Sequence, residues 1–476
     1  MPTDITRRSF AKGMLASAAA PLVFPNLSLG NPNRKPNLAW VGLGGQGLGN
    51  LSNFIGKCNI VALCDVDLRN DPSRTQMRVE GKGVNFLDGC ALLYPDARIF
   101  QDFRKMLLEM DDQIDAVGIA THDSSHFAVA HMALSMGKHI FVQKPLAHSI
   151  DEIRTLQKLA EKKNLITQMG NQGHAFEGAR LVKEWYEAGT IGEVEEVICW
   201  TNRPAKGFGF KGLTSTHFPP KVDVPKGLDW DSWLGPVDKE VGYSDDLHPF
   251  TWRAWWDFGC GGLGDIGCHT IDTPYWAMDL GFPNRVDVEV ERVDSLLTPD
   301  GSVVTYEFPA RNGRPPVRLK WYEGPTLPPK PSVMGDIEMP VDGMIMIGSK
   351  GAIYHRGMRP NSPQLLPESK WEEYRTNPSK RVPKTLPRVK NIFDDWLNGI
   401  NSGDLPCSNF NYAAPLTEVI VLGTLAIRTG QSVVWDPKRM RVTNGNQEAA
   451  KLVKVAARPG WRAKDLTASK AGKFVS

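Results

Sequence analysis

Leu38-Ala39-Trp40-Val41-Gly42-Leu43-Gly44-Gly45-Gln46-Gly47-Leu48-Gly49 opens the stretch that decides the fold, and Ile60-Val61-Ala62-Leu63-Cys64-Asp65 closes it. A short apolar run stops at Gly42, a G-x-G-x-x-G follows over Gly42, Gly44 and Gly47, and a second apolar run ends in an acid. Strand, glycine turn, helix, strand and carboxylate, in that order, form the fingerprint of a dinucleotide site. Gly42 allows the tight turn, Gly44 lets a pyrophosphate approach the backbone, and Gly47 lets helix and strand pack closely. Gly45 and Gln46 complete the turn, whose free N–H groups at the helix start favour a negative charge. Asp65 is expected to accept hydrogen bonds from both hydroxyls of the adenosine ribose, which selects NAD over its 2′-phosphorylated form. The rival reading is a bland glycine-rich turn; the strands on both sides and the terminal acid speak against it.

Upstream lies an address rather than a fold element. Thr6-Arg7-Arg8-Ser9-Phe10-Ala11-Lys12 leads into a weakly apolar run from Gly13 to Phe24. Paired arginines before such a run resemble a bacterial twin-arginine export signal, which places the protein in the periplasm. The run is shorter than the about 20 residues a membrane span needs. Residues 1–34 are therefore read as signal and linker and set apart from the fold.

The 476 residues suggest two to three domains. With 41% hydrophobic and 23% charged residues the chain is of the globular class. A net charge of +3, with no basic stretch interleaved with aromatics, argues against a nucleic-acid partner. Seven cysteines without a C-x-x-C pair indicate neither a zinc ribbon nor a disulfide scaffold, leaving one or two disulfides open. No further segment reads as a membrane span.

Downstream the α/β pattern continues. Ile114–Ala120 is a buried-strand run that ends at Thr121 and leads to His126, and Lys138–Val142 is the next, running into Gln143-Lys144-Pro145. Ligands of open parallel sheets bind at the carboxyl ends of strands, so Thr121, His126, Gln143 and Lys144 are all expected at the cofactor. Ser149 and Glu152 have capping-box spacing for a helix, and Leu165–Met169 is a last short strand before His174.

The glycine turn, the Thr121-x4-His126 segment and Gln143-Lys144-Pro145 together resemble the glucose-fructose oxidoreductase / inositol dehydrogenase (Gfo/Idh/MocA) family. That family usually has Glu-Lys-Pro where this chain has Gln143-Lys144-Pro145, so a carboxylate is replaced by an amide beside the lysine. The resemblance implies that Lys144 touches the substrate hydroxyl and the nicotinamide ribose. It also implies an N-terminal Rossmann domain (35–170), then an α/β domain with an open, mainly antiparallel sheet (171–440) through which copies associate as a homo-oligomer. Residues 441–476 read as a C-terminal extension, basic and solvated from Lys451 on.

A second chemical centre follows in Gly261-Gly262-Leu263-Gly264-Asp265-Ile266-Gly267-Cys268-His269-Thr270-Ile271-Asp272. On a helix, Asp265 and His269 project from one face, with Asp272 one turn further. The family shows Asp-x3-His here with the histidine as general base. By resemblance His269 takes a proton from a sugar hydroxyl while hydride leaves the carbon, Asp265 orients, and Lys144 stabilises the oxygen. An imidazole suits this because its unperturbed pKa lies near neutrality. The competing readings of the pair are a structural hydrogen bond and, with His174 or His126, a metal site. His174, Trp252, Arg253, Trp256 and Asp272 are the expected substrate contacts, the tryptophans by stacking on a sugar ring.

The overall expectation is an exported NAD-dependent oxidoreductase acting on a sugar or polyol, without metal, its NAD held tightly because no exchangeable pool exists outside the cytoplasm. The alternatives are a redox-neutral NAD-dependent glycosidase or lyase of the same fold, a zinc hydrolase, and a silent sugar-binding protein. The Pro360–Lys384 segment is expected as a loop, and Val389–Gly399 and Ala413–Thr429 as helices.

Overall fold

The computed structural model describes residues 34–69, 77–79, 82–84, 86–203, 216–325 and 327–475. The expected export signal lies outside the described residues. Residues 35–476 form one compact unit.

Its first layer is a six-stranded sheet, ordered Arg98–Phe100, Asn59–Cys64, Asn37–Val41, Ala116–Ile119, His139–Val142, Thr167–Met169, with every pair parallel. Strands in such a sheet are covered on both faces, which is why Ala116–Ile119 and His139–Val142 are apolar without alternation and buried throughout. The order reverses between Asn37–Val41 and Ala116–Ile119, and that switch point opens the crevice where ligands of this fold bind. The helix after His139–Val142 starts with the expected capping box of Ser149 and Glu152 and runs over Ile150–Lys163, ending on Asn164 in the left-handed conformation.

The second sheet has nine strands, ordered Gln364–Leu366, Gly351–Arg356, Asp342–Gly348, Val194–Thr201, Val317–Glu323, Ser302–Phe308, Arg285–Val290, Val433–Asp436, Arg441–Val442. All its pairs are antiparallel except Val194–Thr201 with Val317–Glu323. The expected open, mainly antiparallel sheet is thus present. Val286–Leu297 is shorter as a strand than expected, because the Asp294 carboxylate accepts the N–H groups of Leu296 and Leu297 and turns the chain.

One helix joins the layers. Phe410–Thr429 packs on the Ile150–Lys163 helix and on strand Arg285–Val290. It is 20 residues long and holds an 18-residue window of mean hydropathy 1.4, enough by length and composition to cross a membrane, which corrects the expectation that no such segment exists. Within this fold it is a core helix, 83% buried over that window. Its buried Glu418 takes a bidentate pair from Arg154, both contacts at 2.6 Å, and the Trp435 indole N–H at 2.9 Å.

Two further expectations are corrected. Pro360–Lys384 contains a strand, Gln364–Leu366, and a helix, Glu368–Thr376. That helix buries no residue and so lacks an apolar period; Trp371 and Tyr374 tether it to Trp185 through ring contacts at 5.9 and 5.2 Å. The tail from Lys451 is no solvated extension either: Val453, Trp461, Leu466 and Ala471 are buried. All seven cysteines are unpaired, six of them buried.

Candidate active site

A cavity of about 690 Å³ runs from the glycine turn, past the carboxyl ends of the parallel strands, to Asp265, His269 and Arg359. The glycine turn has the expected steric logic. Gly42 has φ +87°, and a Cβ there would stand 2.5 Å from the Ala120 carbonyl oxygen. A Cβ on Gly47 would stand 2.1 Å from the Gly42 carbonyl oxygen, so helix and strand meet only because it is glycine. At Gly44 and Gly45 a Cβ would meet nothing within 4 Å, and both line the cavity; the space over this turn is what a pyrophosphate needs. Gln46 lines it too, while Gly47 supports the turn from behind.

Asp65 stands at the same end. Its Oδ2 accepts the Leu43 N–H at 2.6 Å and its Oδ1 the Asp67 N–H at 2.9 Å, which leaves lone pairs on both oxygens for two ribose hydroxyls. Burial raises its pKa, against the pull of those two N–H groups. Sequence reasoning did not reach its surroundings: Asp67 pairs with Arg69 at 2.6 Å and with His248 at 2.7 Å. The residues present fit NAD: an open glycine cradle, then an acceptor-only carboxylate. Asp65→Ala should raise the dissociation constant for NAD about tenfold or more, since a hydrogen bond to a charged group contributes about 1.5–3 kcal/mol; calorimetric titration checks this.

Trp461 is the unforeseen wall of this end. It packs on Phe103 at 5.7 Å, carries the Arg104 guanidinium over its ring at 4.5 Å, and lines the cavity. Arg458 holds the segment by pairing with Asp231 at 2.5 Å and donating to the Gly235 carbonyl at 2.6 Å. Nothing in the local sequence announces this, because the partners are more than 200 residues away.

At the other end Lys144 donates to Asp265 Oδ1 at 2.5 Å and to the Asp265 carbonyl at 2.6 Å, and Arg253 Nε approaches the same Oδ1 at 3.5 Å. Burial pushes the Asp265 carboxyl up, but Lys144 and Arg253 outweigh it and hold it below the usual range. The expected regular helix is a π-helical turn, Leu263–Gly267, followed by Cys268–Thr270. The wider turn breaks the α-helical register that would have set Asp265 on the face of His269. Asp265 bonds to Lys144 instead.

His269 is 3% exposed, and its Nε2 lies 3.3 Å from Arg359 Nη2. A guanidinium only donates, so Nε2 is the acceptor and the ring proton is assigned to Nδ1. Nδ1 has no partner among the described residues. Burial, then the charges of Arg359, Lys144 and Arg203, holds this imidazole well below the ordinary histidine value. Arg359 also approaches Gln172 Oε1 at 3.3 Å.

Thr121, Gln143, Trp252 and Arg253 line the cavity as expected. Arg253 stacks on Trp252 at 4.1 Å, so that indole faces a cation rather than an open space. Other expected contacts are placed elsewhere. His126 is buried beneath the cofactor end, with Nδ1 2.8 Å from the Pro145 carbonyl and Nε2 3.1 Å from that of Thr121; it braces two strand ends instead of facing the cavity. His174 and Asp272 are bonded to each other at 3.0 Å, each side chain 1% exposed, with the Tyr412 hydroxyl donating to Asp272 at 2.6 Å. Asp272 is therefore not at His269, and neither residue lines the cavity. Trp256 is a core residue. Among the described residues no group of three or more His, Cys, Asp or Glu converges as a metal-ligand set.

Comparison with known proteins agrees with this geometry. Residues 74–171 match an oxidoreductase family described by its NAD-binding Rossmann fold, and residues 187–306 match the C-terminal alpha/beta domain of an oxidoreductase family. Levoglucosan dehydrogenase of Pseudarthrobacter phenanthrenivorans is 27% identical over 163 residues, 34% of this chain and 32% of that protein. Glycosyl hydrolase family 109 protein 4 of Phocaeicola vulgatus is 32% identical over 158 residues, 32% of this chain and 27% of that one. The chain thus spans less than a third of the length of these relatives. The WlbA dehydrogenase of Bordetella pertussis, solved with NADH and UDP-GlcNAcA, shares the fold with a TM-score of 0.55 at 16% identity, over 85% of this chain and 99% of that one. Over residues 74–171 and 187–306, taken in chain order, the chain is similar to the Gfo/Idh/MocA oxidoreductases.

Proposed function

We propose that this protein transfers hydride between a hydroxyl-bearing carbon of a sugar or polyol and NAD. The observation that carries the reading is the convergence of Lys144, Asp265 and His269 on one wall of the cavity that begins at the glycine turn and Asp65. NAD, when bound, supplies the hydride acceptor. Neutral His269 offers the Nε2 lone pair, which accepts from Arg359 in the ligand-free protein, to the hydroxyl proton once the substrate displaces that contact, and Lys144 stabilises the oxygen as its negative charge grows. Asp265 fixes the ammonium through two contacts, one to its carboxylate and one to its carbonyl. A carbonyl forms on the sugar as the C–H electron pair leaves and the O–H proton passes to His269. The sugar dehydrogenase and the glycosyl hydrolase among its relatives support both the dehydrogenase reading and the redox-neutral alternative, in which the oxidised sugar eliminates its substituent and is reduced again. Turnover of a sugar panel with a deuterium label on the attacked carbon tests it: label passed to the bound NAD and on to another molecule marks the dehydrogenase, label returned to the same sugar the redox-neutral route.

Only neutral imidazole can accept the proton. Because the His269 pKa is held below its ordinary value, the base form persists through neutrality and is lost only as the pH falls through the lowered pKa. kcat/KM should therefore stay level from mildly alkaline pH to below about 6.5, the unperturbed histidine value, and decline at more acid pH. A pH–rate profile with a half-point at or above that value contradicts His269 as the base.

The same reading extends to tight retention of NAD and to export before function. Trp461, packed across the cofactor end, is the feature that supports retention. Trp461→Ala should release NAD faster by about tenfold, the scale of 1.4 kcal/mol, in a gel-filtration or stopped-flow release assay. Multiple turnovers without added NAD are expected of the unaltered protein when the hydride held on the cofactor is returned to a second sugar or to the same sugar after elimination.

A further inference from the structure

Four cations, Lys144, Arg203, Arg253 and Arg359, meet at the substrate end of the cavity, and they are not equally balanced. Lys144 and Arg253 share Asp265, at 2.5 and 3.5 Å. Asp123 lines the same wall; burial lifts its pKa to about 6 against the pull of Lys144 and Arg253, and its Oδ2 accepts the Cys260 N–H. Arg359 stands apart. It follows strand Gly351–Arg356, and its Nη2 meets only neutral groups, Gln172 Oε1 and His269 Nε2, each at 3.3 Å. Its Nε is buried without a hydrogen-bond partner, and among the described residues no carboxylate stands within ion-pair distance of it. The carboxylate that acts on it is Asp265, already shared, while Arg203 repels it.

Arg359 is partly buried, and a guanidinium partly withdrawn from water without a counter-charge carries a cost. Packing alone does not call for one here: methionine would fill a similar space at no such cost. What an arginine supplies in this position is a planar fork of donors that meets a carboxylate bidentately. We infer that the sugar substrate is an acid, a uronate or aldonate, whose carboxylate is held by Arg359 beside His269. The inference rests on the dehydrogenase reading of the cavity. Since Arg359 and His269 are 3.3 Å apart, the carboxylate and the hydroxyl that gives up its proton belong to the same or adjacent part of the sugar. The carboxylate itself is unchanged in the reaction. Its arrival also offsets the Arg359 charge that depresses His269, so an acidic substrate strengthens the base that acts on it.

The test uses the NAD-loaded full chain and sugars in matched pairs: glucuronate with glucose, galacturonate with galactose, gluconate with sorbitol, and the phosphate esters of the same hexoses. Dissociation constants are read from the fluorescence of the tryptophans in the cavity wall. At least one acid should bind about tenfold or more tightly than its neutral partner, and Arg359→Gln should abolish that advantage while still binding NAD. The melting temperature of ligand-free Arg359→Gln should not fall, because an uncompensated charge is removed. Acids that bind no better than their neutral partners, phosphate esters that outbind every acid, or a lower melting temperature for Arg359→Gln would each overturn the inference. In all three cases NAD binding is untouched, so the dehydrogenase reading survives; absence of NAD binding would instead remove that reading.

Discussion

Lys144→Met should lower turnover by about 10²-fold or more while NAD remains bound, the scale of a lost charge stabiliser at a developing oxyanion. Methionine keeps the length and bulk of the side chain and removes only the ammonium. Asp265 then keeps Arg253, at 3.5 Å, as its remaining ion-pair partner. The cofactor end, with Gly44, Gly45 and Asp65, is untouched by the change. Burst and steady-state rates, with NAD affinity measured in parallel, separate the two effects. Equal loss of kcat and of kcat/KM with unchanged NAD affinity is the expected pattern, since the interaction belongs to the transition state. Turnover like that of the parent would place the chemistry elsewhere.

Asp272→Ala should behave in the opposite way. The carboxylate is buried, accepts from the Tyr412 hydroxyl at 2.6 Å, and is bonded to His174 at 3.0 Å. Its removal leaves a buried imidazole and a buried hydroxyl without their partner. Breaking such a buried pair costs about 3–5 kcal/mol, so a large drop in the urea or thermal midpoint is expected. KM for the sugar should change little in the fraction that stays folded, because the residue does not line the cavity. A tenfold rise in KM at unchanged stability would return Asp272 to the substrate site.

The contrast between these residues shows what a sequence can disclose. The dinucleotide end was legible because its signal is local: the turn, the strands and Asp65 lie within one short stretch, and Gly42 and Gly47 answer to backbone contacts in the adjoining strand or a few residues away. Lys144 was legible for the same reason, as a residue at the end of an apolar strand. Asp265 and His269 were recognised but not their geometry. Their relation depended on a regular helix, and the glycine-rich run forms a π-helical turn instead. Asp272 and His174 have the residue types of a site, yet nothing in their spacing separates a buried structural pair from a catalytic one. Arg359 and Trp461 were missed because they reach the cavity only through tertiary packing, one from the edge of the second sheet and one from a tail with no periodic apolar pattern.

The central claim is that one cavity holds NAD at the Gly42–Asp65 end and a sugar at the Lys144–His269 end. The most direct measurement is a titration of NAD into the purified protein, followed by tryptophan fluorescence, since Trp233, Trp252 and Trp461 all line that cavity. The account predicts saturable quenching with one NAD per chain, counting any nucleotide already present and released on denaturation. It predicts binding weaker by about tenfold or more in Asp65→Ala. No quenching by NAD, together with no nucleotide released from the denatured protein, would contradict it.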